Sequence, residues 1–76
     1  MNKPTRKQIE ELIEQLNDIM ETVQGLAEEE QEKYDNMPEG LQYSERGEAM
    51  QAAAENLDSA ASSIEEAIDY LNSAIE

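Results

Sequence analysis

The chain contains no cysteine, histidine, tryptophan or phenylalanine. The missing cysteines remove both a disulfide framework and a thiolate metal site, and the missing histidines remove an imidazole ligand and an imidazole base. With three tyrosines as the only aromatics, any core has to be built from aliphatic side chains and alanine. Basic residues are also scarce: five Lys and Arg stand against nineteen Asp and Glu, a formal charge of -14. That charge repels phosphate backbones and anionic lipid surfaces, so neither nucleic acid nor membrane is an expected partner. No apolar run approaches the about 18 residues of a membrane span. MNKPTRK has the charge of a signal-peptide start, but QIEELIEQ follows where an unbroken apolar stretch should be. A cytoplasmic protein is therefore expected.

Seventy-six residues make one domain. A chain of this size buries only about 60% of the surface its unfolded form exposes, so its core must be economical. Low aromatic content with high charge is a composition of disordered chains, yet the apolar residues here are strictly periodic. Ile9, Leu12, Leu16, Ile19, Val23 and Leu26 alternate steps of three and four, the signature of a heptad seam. Ile13, Met20, Ala27 and Tyr34 widen it to three positions in seven. Thr5 with Gln8 fits a capping box after Pro4, and the first helix is expected over about residues 6–35.

The second half reads AENLDSA, ASSIEEA, IDYLNSA, three heptads from Ala54 to Ala74. Large residues recur at Met50, Leu57, Ile64 and Leu71 and alanines at Ala53, Ala60, Ala67 and Ala74, with Ala54, Ala61, Ile68 and Ile75 beside them. Ser44 is a natural N-cap, and the second helix is expected over about 45–75. An alanine column allows close approach of the first helix, so Leu26 is expected near Ala53 and Ala54, Ile19 near Ala60 and Ala61, and Leu12 near Ala67 and Ile68. The expected fold is all-α, an antiparallel two-helix hairpin with a turn over about 36–44. The columns Ile13, Met20, Ile68 and Ile75 extend past what one partner helix covers. They lead us to expect a homodimer forming a four-helix bundle.

The turn, DNMPEGLQYSER, has the length of an EF-hand loop, with Asp35 first, Glu39 fifth and Gly40 sixth. Calcium is nonetheless not expected, because Met37 stands third and Arg46 takes the place of the bidentate Glu at position twelve. Pro38 disfavours helix at Met37 and Gly40 tolerates positive φ, which suits a reversal. Tyr34, Met37, Leu41 and Tyr43 are then available to close that end of the core.

The segment DNMPEGLQYSERGE, followed by alanine-rich acidic heptads, resembles a group of small acidic helical proteins encoded in bacteriophages and integrated elements of gut bacteria. Asp35, Asn36, Met37, Pro38, Leu41, Gln42, Ser44 and Glu45 carry the resemblance, which covers roughly residues 28–76. It implies a mobile-element origin, and hence the cytoplasm of a bacterial host. It implies no established function and no catalytic or binding residues.

Nothing in the sequence sets up catalysis. General acid and base work needs a desolvated carboxylate, while almost all the acids fall outside the apolar face. There is no phosphate loop, no nucleophile triad and no Glu-x-x-His ligand pair. The expectation is a non-enzymatic protein with no catalytic residue, cofactor or metal.

Charge placement is more telling. Lys3, Arg6 and Lys7 lie at one end of the expected hairpin and Lys33 and Arg46 at the other, with no Lys or Arg over residues 8–32 or 47–76. Like-charged pairs such as Glu10 with Glu14 and Glu14 with Asp18 cost a helix about 0.2 to 0.5 kcal/mol each. Such an arrangement suits a partner protein with a basic groove, such as a nuclease or other nucleic-acid-binding protein of host defence, with the acidic rod imitating DNA. The expected contacts are Glu14, Asp18, Glu21 and Glu28 on the first helix and Glu55, Asp58, Glu65 and Asp69 on the second. The alternative is a structural or adaptor homodimeric coiled coil that binds through its apolar face.

Overall fold

Asn2 begins the first helix: in the computed structural model, which describes residues 1–76, its side-chain oxygen accepts a hydrogen bond from the Thr5 backbone N–H at 2.9 Å. Helix α1 runs Lys3–Asp35. It starts three residues before the expected Arg6. Pro4 lies inside its first turn, where no N–H is needed, and Asn2 supplies the cap that was assigned to Thr5. Ser44 caps the other long helix, accepting from the Gly47 N–H at 3.3 Å, and α3 runs Glu45–Ala74. The two long helices pack on each other as a helical hairpin, a rod of 58 × 15 × 13 Å.

Between them the connection is itself partly helical. A single turn, α2, spans Glu39–Gln42, with the Leu41 N–H donating to Pro38 O at 2.8 Å. Gly40 sits within α2 and no glycine has positive φ, so the reversal does not use the conformational freedom expected of Gly40. Instead the chain turns at both ends of α2. Gln42 Nε2 donates to Tyr34 O at 3.0 Å, occupying a carbonyl that the end of α1 leaves without a helical partner. Gly47 matters more. A Cβ built on it would meet the carbonyl oxygens of Leu41 and Gln42 and lie 2.7 Å from Gln42 C, so only glycine lets α3 begin directly against α2. Leu41 and Tyr43, expected to plug the turn, are exposed at 52% and 75%.

The seam is rotated by one position from the expected one. On α1 the least exposed residues are Arg6, Ile9, Ile13, Leu16, Met20, Val23, Ala27, Glu30 and Tyr34, still in steps of three and four. Leu12, Ile19 and Leu26 are about half exposed, at 47%, 51% and 45%. On α3 the inward columns are Gly47, Ala54, Ala61, Ile68 and Ile75 with Met50, Leu57, Ile64 and Leu71, whereas Ala60, Ala67 and Ala74 are exposed. Both choices obey the same heptad spacing. The one adopted buries Ile68 and half-buries Ile75 in place of Ala67 and Ala74, which removes more apolar surface from water. It also keeps Lys33 and Arg46 out of the seam, since these two continue the columns left outside.

Register follows from the open end, where the Arg6 guanidinium donates to Ile75 O. Counting back along antiparallel helices brings Ile13 level with Ile68, Met20 with Ala61 and Ala27 with Ala54. Met20 thus faces the small Ala61 at the middle of the rod, while two isoleucines meet toward the open end and two alanines, which permit close approach, meet toward the turn. The core is shallow. Ala27, Ala54, Ala61 and Ile68 are its only buried apolar residues, and no side chain is wholly buried. The columns Ile13, Met20, Ile68 and Ile75, from which a dimer was expected, are therefore consumed within one chain.

Candidate functional site

No pocket is present, and no group of acids is placed to hold a metal ion. No helix is long and apolar enough to cross a membrane. What the molecule offers is surface, and the seam determines how that surface is divided. Two antiparallel helices form a ribbon with two broad faces. Because the helices run in opposite directions, the residue following each inward position lies on the same broad face in both.

On one face this brings Glu14, Glu21 and Glu28 of α1 beside Glu55, Asp58, Glu65 and Asp69 of α3, all exposed. Seven of the eight expected contact residues thus share a surface. Asp18 does not: it is exposed on the outer edge of α1, farthest from α3. Glu10, Asp35 and Glu48 also belong to the acidic face, and their place could have been found by extending the same heptad positions outward.

The carboxylates there are poorly compensated. The one ion pair in the molecule joins Lys33 to Glu30 at 3.1 Å, near the turn and outside this face. Gln31 Nε2 donates to Asp35 at 3.0 Å, and no other side chain bonds to a carboxylate of the face. With a rise of about 1.5 Å per residue, Glu14, Glu21 and Glu28 lie about 10 Å apart along α1, and the two helices together present on average roughly one acid per 4 Å of axis. One strand of a duplex spaces its phosphates at about 3.4 Å.

The opposite face is nearly free of charge. Its middle is made by Leu12, Ile19 and Leu26 of α1 and Ala53, Ala60 and Ala67 of α3, flanked by Gln8, Gln15, Thr22, Asn56, Ser63 and Tyr70. Glu29 is the sole carboxylate of the long helices on it. At its turn end stand Lys33 and Arg46; at the open end stand Thr5 and Ala74. A protein of charge -14 thus keeps all its acids but Glu29, Glu30 and the turn residue Glu39 on one broad face and the two edges. The sequence signal for this division is the absence of acids at one heptad position in both helices, visible only once the seam is known. No family model matches the chain, and neither the curated proteins nor the solved structures contain a significant match to it.

Proposed function

We propose that this chain is a non-enzymatic binding protein whose acidic face occupies the basic groove of a nucleic-acid-binding host protein, acting as a DNA mimic. The candidate partners are nucleases of bacterial defence, of restriction or CRISPR type, and the bearer is a phage or similar mobile element. The observation that carries this is the gathering of uncompensated carboxylates from both helices on one face of a narrow rod. The working form is a homodimeric four-helix bundle, which completes the shallow core of a single hairpin.

The test is binding of the partner at two salt concentrations, together with reversal of Glu14, Glu21 and Glu28 to Lys. Charge mimicry requires binding to weaken steeply with salt, because exposed charges are screened within about 8 to 10 Å at physiological ionic strength. It also requires the triple reversal to abolish binding with helicity intact. One observation favours a second reading, in which the protein is an adaptor coiled coil: Leu12, Ile19 and Leu26 are exposed in line on the neutral face. Partner binding that survives both the reversal and high salt selects that reading.

A further inference from the structure

We infer that the neutral face is where a second copy of this chain docks, with the two turns at opposite ends of the resulting four-helix bundle. This deepens the dimeric form proposed above by assigning its surface and its direction. Three observations point to it.

The face is apolar down its middle and bordered by neutral polar side chains, with Glu29 its one carboxylate, so two copies can meet there with nearly all their carboxylates directed outward. Its length is adequate. From Thr5 to Lys33 the face runs roughly 42 Å at about 1.5 Å per residue, and the rod is 15 Å across. Two such faces bury roughly 1,300 Å², within the range of a stable specific interface of about 1,200 to 2,000 Å². Finally, Ile19 and Ala60 lie at the midpoint of the face, so a two-fold axis across it there brings the alanine columns of the two α3 helices together, where methyl groups permit close approach, and sets the Leu12, Ile19, Leu26 columns of the two α1 helices side by side.

Direction follows from where the cations fall. With the turns together, Lys33 and Arg46 of both copies share one end and Lys3, Arg6 and Lys7 of both copies share the other, whereas with the turns apart the cations divide evenly between the ends. With the turns apart, each Arg46 reaches the carboxyl end of the other copy's α3, whose last turn carries no basic residue and whose helix dipole is negative there.

The chain has no cysteine, so an introduced thiol reports on one contact. Sedimentation of the full chain at high micromolar concentration gives twice the chain mass, and Ile19→Glu gives the mass of one chain with an unchanged helical circular dichroism spectrum. Under mild oxidation Ala60→Cys cross-links to its own counterpart. Ala53→Cys and Ala67→Cys cross-link with one another when mixed, while Ala67→Cys alone does not. A single-chain mass for the unaltered protein, or a dimer that Ile19→Glu leaves intact, overturns the interface. Failure of Ala53→Cys and Ala67→Cys to cross-link when mixed, or cross-linking of Ala60→Cys no faster than of Ala67→Cys to its own counterpart, overturns its direction. Salt separates this inference from the mimicry proposal, since screening strengthens association of two like-charged copies and weakens binding to a basic groove. Each can fail without the other.

Discussion

Ala60 and Ala61 are neighbours in the chain with opposite surroundings. Ala61 lies in the seam, 5% exposed and level with Met20, whereas Ala60 stands exposed on the neutral face level with Ile19. The contrast recurs one heptad on, where the buried Ile68 follows the exposed Ala67, and is weaker one heptad back, where Ala54 follows the half-buried Ala53. Composition and spacing treat the two columns alike. What distinguishes them is the larger isoleucines at the end of one and the cations at the end of the other. A heptad repeat specifies that two helices pair, and the few residues breaking its symmetry choose which sides meet.

Substitutions placed on either side of that line would sharpen it or erase it. The largest effect is expected for Ile68→Ala, which removes the one large residue in the buried set and costs about 2 to 3 kcal/mol. Ile19→Ala, measured at concentrations too low for association, should cost under about 1 kcal/mol, because half the side chain is already in water. Thermal or urea melts compare the two, and equal losses would mean that the seam is not where the fold places it. Next comes Ala61→Leu, which overpacks a closely approached layer and costs about 1 to 3 kcal/mol.

Gly47→Ala belongs to the same size class, about 1 to 3 kcal/mol, because the new methyl group meets the α2 carbonyls and backbone has to move. Hydrogen exchange at residues 39–47 should rise with it; slow exchange there with an unchanged melt would show that the turn accommodates a Cβ. Gly25 is the opposite case. It lies mid-helix on the outer edge of α1 with nothing within 4 Å of a built Cβ, so Gly25→Ala should stabilise by about 0.5 to 1 kcal/mol. The smallest change is expected for Ala60→Leu, within about 0.5 kcal/mol of the parent hairpin at low concentration.

Much of the architecture was legible in the sequence. The steps of three and four from Ile9 onward, the heptads from Ala54 to Ala74 and the break at Pro38 define two helices and a reversal. Ser44 is recognisable as a cap because a Ser before a helical pattern can satisfy an orphan N–H. The rotation of the seam was not legible. Ile9, Leu12, Leu16 and Ile9, Ile13, Leu16 have the same period, and choosing between them requires knowing that Lys33 and Arg46 must stay outside together. Gly47 was visible only as a failed capping box, because its role depends on the α2 backbone lying against it. For the candidate site, seven of the eight expected acids fall on one face, while Asp18 occupies a heptad position on the outer edge of α1.

The one-sided placement of the carboxylates has a consequence for valency. If two hairpins join through their neutral faces, the acidic faces point in opposite directions, and the bundle becomes a divalent ligand instead of a single cylinder of charge. It could then bridge two copies of a partner, or two basic grooves of one oligomeric partner. In the bridged case the second contact forms at the high effective concentration set by a rigid spacer, and avidity can exceed single-site affinity by about 10² to 10⁴.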